Sequence, residues 1–236
     1  MSAVDVLFQA LRSEHRKAFI PFVTAGDPDL EFTADAVRAL ATAGASLVEI
    51  GIPYSDPIAD GPVIQASYTR ALDRGVRLSD IWTMLATSAE RVDVPLVTMV
   101  SYAIVYRMGL EQYVREAQSH GVAGAIVPDL PVDEADRFSQ VCRAADFSLI
   151  QLVTPTTPRD RARRIADSSS GFLYYVSVTG ITGERRDLPP ELVDNVAWLA
   201  DQTELPICIG FGISTPDHVR ALKGVADGVI VGSAFM

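Results

Sequence analysis

Ser46-Leu-Val-Glu-Ile-Gly-Ile-Pro53 is a short apolar run with one acid near its centre, closed by glycine and proline. Its core, Leu47–Ile50, is short and nearly continuous in apolar residues and reads as a strand buried on both sides of a parallel sheet. Seven further runs share the pattern: Phe19–Val23, Pro95–Met99, Gly124–Val127, Leu149–Val153, Phe172–Val176, Pro206–Ile209 and Gly228–Val231. Amphipathic stretches lie between them, among them Phe32–Ala43, Leu110–Ser119, Val132–Ala144, Pro158–Asp167 and Pro190–Gln202. Asp27-Pro-Asp, Thr157-Pro and Thr215-Pro read as helix starts, with proline near the first turn. Eight strands, each followed by a helix, predict a closed (β/α)8 barrel, with a doubly wound open sheet as the alternative. Polar residues and glycines at most strand ends (Thr24, Glu49, Ser101, Asp129, Thr154, Thr179, Gly210 and Gly232) favour the barrel, because an open sheet concentrates its site at one switch point. Composition shifts nowhere along the 236 residues, so one domain spanning 1–236 is expected.

Bulk properties exclude several classes. The net charge of −10 argues against a nucleic-acid surface, which needs clustered Lys and Arg. The one basic run, Arg159 to Arg164, reads as a solvated helix face. No apolar run reaches the roughly 18 residues of a membrane span. The N-terminal residues read as a short amphipathic helix rather than a signal peptide, so a cytoplasmic location is expected. Cys142 and Cys208 read as buried thiols, and His15, His120 and His218 have no ligand spacing, so no metal is expected.

The candidate chemistry begins with Glu49. If Val48 and Ile50 pack outward under helices, Glu49 points into the barrel mouth. Burial there would raise its pKa and let it give and take a proton near neutrality, although a core ion pair with an arginine would also place a glutamate inside. The loop that leaves this strand, Pro53–Pro62, carries Asp56, Asp60 and Gly61. Its three prolines stiffen it, so Asp60 can converge with Glu49 on one ligand, one carboxyl shuttling protons and the other staying ionised. Late in the chain, Ile209-Gly-Phe-Gly-Ile-Ser and Val231-Gly-Ser-Ala follow the seventh and eighth strands. Barrels often bind phosphate with these two loops, where glycines admit oxygens close to backbone N–H groups. Gly180 and Gly183, around Thr182, fit the hinges of a lid over the mouth or a plain connection.

Together, Phe19-Ile-Pro-Phe-Val-Thr-Ala-Gly-Asp-Pro, Val48-Glu-Ile-Gly-Ile-Pro-Tyr-Ser-Asp-Pro-Ile-Ala-Asp-Gly-Pro-Val-Ile-Gln, Val127-Pro-Asp-Leu-Pro, Tyr175-Val-Ser-Val-Thr-Gly-Ile-Thr-Gly and Gly210-Phe-Gly-Ile-Ser resemble the α subunit family of tryptophan synthase. The resemblance covers essentially the whole chain. It implies a (β/α)8 barrel that cleaves indole-3-glycerol phosphate to indole and glyceraldehyde 3-phosphate by a retro-aldol reaction. It implies Glu49 as acid/base and Asp60 as the carboxylate that accepts the indole N–H and stabilises the cationic intermediate. Phe22, Tyr102 and Tyr174 match pocket residues, and Thr182 matches a lid residue closing on Asp60. Gly183, Gly212, Gly232 and Ser233 match phosphate-binding positions. Asp56, Pro57 and Asp129 match positions near the interface with a β subunit, in an α2β2 assembly. That partner uses pyridoxal phosphate and receives indole through a tunnel, whereas the α subunit needs no cofactor.

Two departures stand out. The family commonly has Tyr-Tyr-Asn-Pro after strand three, whereas this chain has Ser101-Tyr-Ala-Ile, which implies altered communication with the β subunit. The chain also ends at Met236, just after strand eight, where family members continue into a final helix. The expected fold is therefore a single barrel with an extra N-terminal helix and without that last one, less stable and weaker in phosphate binding than a form that carries it. Three rivals remain at this point. Indole-3-glycerol phosphate synthase would need a catalytic lysine, and Lys17 and Lys223 are poorly placed for one. The others are a non-catalytic subunit that only activates a β partner, and a stand-alone lyase that releases indole.

Overall fold

The computed structural model describes residues 1–57, 60–177, 191–210, 213 and 215–235, without the side chain of residue 221. Nine strands follow one another among the described residues: β1 (Ala18–Thr24), β2 (Val48–Gly51), β3 (Leu96–Met99), β4 (Val122–Ile126), β5 (Ser148–Ile150), β6 (Leu152–Val153), β7 (Leu173–Val176), β8 (Ile207–Gly210) and β9 (Gly228–Val231). Their order in the sheet is β5-β4-β3-β2-β1-β9-β8-β7-β6, and every pairing is parallel. The two outermost strands, β5 and β6, are halves of one stave, separated by Gln151 alone. The carbonyl of Ile150 accepts from Val127 N–H at 3.3 Å on one side, and that of Gln151 accepts from Tyr174 N–H at 3.1 Å on the other. Eight staves thus close on themselves, and the open-sheet alternative is set aside.

The predicted fifth strand is continuous, and the break at Gln151 is a difference. Its amide turns away from the ladder to donate to Ser168 Oγ at 2.8 Å and Ser169 Oγ at 3.2 Å. A buried amide must find partners, and here they sit on the helix layer.

Ten helices are present among the described residues: α1 (Ala3–Ser13), α2 (Leu30–Thr42), α3 (Pro62–Asp73), α4 (Leu78–Ala89), α5 (Tyr102–Met108), α6 (Leu110–Ser119), α7 (Ala135–Ala144), α8 (Arg159–Ser168), α9 (Leu192–Ala200) and α10 (Pro216–Leu222). Side-chain caps fix several starts. Asp29 accepts from Phe32 N–H to begin α2, and Thr215 accepts from His218 N–H to begin α10. Thr157 does not cap α8 as predicted. Its hydroxyl instead accepts from Thr154 N–H at 3.0 Å, and the helix begins one residue later behind Pro158. The basic run of α8 is a surface face, with Arg159 4.8 Å from the Trp198 ring centroid and Arg164 paired with Asp133.

Strand alternation divides the core into two shells. Ile20, Phe22, Leu47, Val97, Met99, Ile126, Ile150, Tyr174, Cys208 and Ile230 fill the barrel interior. Val48, Ile50 and Leu96 pack outward with helix residues such as Leu85 and Phe138. Helix α1 plugs the end of the barrel where the strands begin. Val4, Phe8 and Leu11 join the interior cluster, and the Phe8 ring lies 5.5 Å from that of Phe172. Its polar end is tied in as well. Ser2 and Asp5 form a capping box, Ser2 Oγ meets Ser148 Oγ at 2.7 Å, and Asp5 Oδ1 accepts from Gly171 N–H at 3.2 Å.

Candidate active site

With one end plugged, the mouth where the strands end is the opening. Glu49 lies in β2, in register with Phe22 of β1 and Val97 of β3, both interior residues. Its side chain therefore points inward, as the alternation predicts. It is fully buried, and among the described residues no group hydrogen-bonds either carboxyl oxygen. No described arginine forms the ion pair that would make Glu49 a structural core residue. Burial, and secondarily the charge of Asp60, pushes its pKa up to about 8, so the group is protonated at neutral pH.

Asp60 follows the loop from β2 and stands just ahead of α3, whose N-terminus favours a negative charge. The loop is tied to α3 by Gln65, whose amide donates to the Asp60 carbonyl at 2.7 Å. One Asp60 carboxyl oxygen is buried without a partner. Burial first and Asp129 second push its pKa up to about 6, so it is mostly ionised at neutral pH. Glu49 senses the charge of Asp60, which places the two carboxyls in one neighbourhood.

Asp60 lines a cleft of about 340 Å³ together with Tyr54, Asp56, Pro57, Tyr68, Met99, Ser101 and Asp129. Tyr68 of α3 was missed in the sequence. It sits among apolar residues of an amphipathic stretch and reads as core, yet its hydroxyl faces both Asp60 and Glu49, which with burial push its pKa well up. Tyr174 of β7 is buried in the same way and senses the same two carboxyls. Two glycines make room for these aromatics. A Cβ on Gly51 would stand 2.5 Å from the Phe22 ring and 2.7 Å from the Tyr68 hydroxyl, and one on Gly210 would stand 2.3 Å from the Tyr174 hydroxyl. Gly210, expected to serve a phosphate turn, is therefore required first for packing.

Asp129, in the loop after β4, accepts from Ser101 Oγ and from Tyr102 N–H, both at 2.7 Å. Ser101 is also the N-cap of α5, so this loop organises the start of that helix. The Tyr102 ring turns toward Tyr106, at 5.9 Å between centroids, and lies near Glu134. It is not among the residues that line the cleft. Asp56 is exposed and Pro57 half-buried at the rim. Gly232 follows β9 beside Phe22 and Ile64, and Ser233 is exposed. Thr182, Gly183 and Gly212 lie outside the described residues.

Fold and mouth together define a (β/α)8-barrel enzyme with a buried, proton-holding carboxyl beneath an acidic cleft. The family of tryptophan synthase alpha chains matches residues 8–236. A tryptophan synthase alpha chain of Rhodopirellula baltica is 59% identical over 239 residues, covering 100% of this chain and 86% of that one. Another from Microcystis aeruginosa is 44% identical over 237 residues, covering 100% and 90%. Among solved structures, the tryptophan synthase subunit alpha of Legionella pneumophila superposes with a TM-score of 0.89 at 34% identity, covering 99% of this chain and 87% of that one. A chain of the tryptophan synthase α2β2 complex of Pyrococcus furiosus gives 0.87 at 38% identity, covering 92% and 88%. This chain belongs to the tryptophan synthase alpha chain family.

Proposed function

We propose that this chain cleaves indole-3-glycerol phosphate to indole and glyceraldehyde 3-phosphate, with Glu49 moving the protons and Asp60 holding the charge. The observation that carries this reading is the pair of unpartnered carboxyls in the mouth, one raised to about 8 and the other to about 6. At neutral pH one is an acid and the other an anion, which is the division of labour the reaction needs. The indole ring carbon that bears the glycerol chain is a poor leaving group until protonated. Protonated Glu49 supplies that proton, and Asp60 accepts the indole N–H and stabilises the resulting cation. The Glu49 carboxylate then takes the proton from the neighbouring glycerol hydroxyl. The carbonyl forms, the carbon–carbon bond breaks, and its electron pair returns to the ring. Glu49 ends protonated, as it began.

Phe22, Tyr174 and Tyr68 flank the reacting carboxyls, and we assign Phe22 and Tyr174 to the indole and glycerol pocket. Gly183, Gly212, Gly232 and Ser233 are assigned to the phosphate, Thr182 to a lid over Asp60, and Tyr102 to the outer pocket. Proton transfer suffices for this chemistry, so no cofactor of the chain's own is required. No described helix is long and apolar enough to cross a membrane, and a cytoplasmic single-domain enzyme is the reading we adopt.

We further propose a β-subunit partner, in an α2β2 assembly, docking on the rim at Asp56, Pro57 and Asp129. Beside that rim runs a largely apolar groove formed by Ile52, Pro53, Val76, Leu78, Ile81, Ile104 and Met108, with Arg107 also lining it. Ile104 is one of the two residues by which this chain departs from the family's usual pattern, and exposed Tyr106 stands next to it.

Indole release from indole-3-glycerol phosphate, measured with and without a β subunit for this chain and for Glu49→Gln, tests the whole reading. Slow release alone, faster release with β and a loss of roughly 10²–10⁴-fold in the variant are expected. A folded parent that releases no indole under either condition would instead support a non-catalytic subunit.

A further inference from the structure

Four acids surround the mouth: Glu49 behind the cleft, and Asp56, Asp60 and Asp129 along it. Among the described residues lining the cleft none carries positive charge. Asp129 differs from the other three in how it is held. Its two oxygens accept from Tyr102 N–H and Ser101 Oγ, each at 2.7 Å, so its orientation is set by the first turn of α5. Two short, charge-assisted bonds fix a carboxylate far better than a single mobile contact would.

We propose that Asp129 is a positioning residue for Asp60: clamped to the start of α5, it holds a negative charge across the cleft and so governs when Asp60 carries its own. The proposal rests on the reading that turnover needs Asp60 as an anion. The described groups at the mouth differ in the charge they carry. Glu49 from β2 is neutral until about 8. The phenols of Tyr68 from α3 and Tyr174 from β7 are pushed well above their ordinary value and stay neutral. Tyr54, in the same loop as Asp60, is a phenol as well. Asp56, on that loop, is exposed, and water screens its charge. Among the described residues Asp129 is thus the charged neighbour that remains, and it is the one whose charge adds to burial in raising Asp60. Since its clamp belongs to α5, any shift of that helix would reach Asp60 through this one carboxylate.

The test is the titration of the Asp60 carboxyl, followed by carbon NMR, alongside the pH profile of kcat/KM, in the parent, Asp129→Asn and Ser101→Ala. Asparagine keeps the shape and an acceptor oxygen but removes the charge. In Asp129→Asn the Asp60 midpoint and the acidic limb of the profile should both move to lower pH, by about tenfold in proton concentration. Ser101→Ala keeps the charge but loosens the clamp, and should move the midpoint the same way by less. An unmoved midpoint in folded Asp129→Asn overturns the proposal. If that variant does not fold, an unmoved midpoint in Ser101→Ala overturns it. A midpoint that moves while the acidic limb stays in place upholds the role of Asp129 and instead overturns the need for anionic Asp60 in turnover.

Discussion

The two ends of the barrel bury polar groups in opposite ways. At the plugged end, Ser2, Asp5 and Ser148 are each hydrogen-bonded to one another or to backbone. At the mouth, among the described residues, Glu49 has no partner on either oxygen and Asp60 lacks one on a buried oxygen. An unpaired buried polar group costs stability, typically about 1–3 kcal/mol and more for a charge. A chain that satisfies such groups at one end and leaves them open at the other has separated the part that holds the fold from the part that meets a ligand. Proton affinity records the same contrast, because the two orphaned carboxyls are both shifted upward by burial.

Substitutions and pH can break or sharpen this contrast. The largest effect expected is on activity. Below about 6 Asp60 gains a proton and the anion is lost, and above about 8 Glu49 loses the proton it must donate. The pH profile of kcat/KM should therefore be a bell with limbs near those values, each falling about tenfold per unit. A flat profile between pH 5 and 9 would remove the acid and anion assignments together.

At the plugged end, Phe8→Ala empties a fully packed site against Phe172 and should lower stability by roughly 3–5 kcal/mol in chemical denaturation. The limbs of the bell should stay where they are, and limbs that moved would show that the two ends are not independent.

Glu49→Gln should act the other way on stability, and only at higher pH. The folded-state pKa is raised from 4.5 to about 8, so the folded chain holds this proton more tightly than the unfolded one. That contribution is complete below 4.5 and is lost as pH rises through about 8. Glutamine is never charged, so the variant should exceed the parent by about 5 kcal/mol at pH 9 and match it near pH 4. Equal melting curves at both values would mean that the carboxyl is not buried as described. The smallest effect belongs to Ser148→Ala, which removes the partner of Ser2 Oγ but leaves that oxygen its bond from Asp5 N–H. A loss of about 1 kcal/mol is expected.

Much of this was readable in the residues. Eight apolar runs predicted eight staves, because a strand buried on both faces leaves an unbroken signature, and period-two alternation put Glu49 on the inside. The break at Gln151 was not readable, since its cause is a pair of serines in another element. Helix α5 was also hidden. It is seven residues long, too short for a periodic pattern, and it starts where Asp129, far along the chain, braces it. Tyr68 escaped because an aromatic on an amphipathic helix looks the same whether its hydroxyl faces a neighbouring helix or a carboxyl. Motif matching supplied the roles given to Asp60 and Asp129, while their coupling through the cleft emerges only once the loops after β2 and β4 stand side by side.

The plug has a consequence in time. Helix α1 is held by Ser148 and Gly171, contacts separated by 146 and 166 residues. At ordinary rates of synthesis, the helix leaves the ribosome on the order of ten to thirty seconds before those partners exist. For that interval Val4, Phe8 and Leu11 present an apolar stripe with nothing to cover it. The same three side chains that later seal the barrel are, in the nascent chain, a ready target for a chaperone.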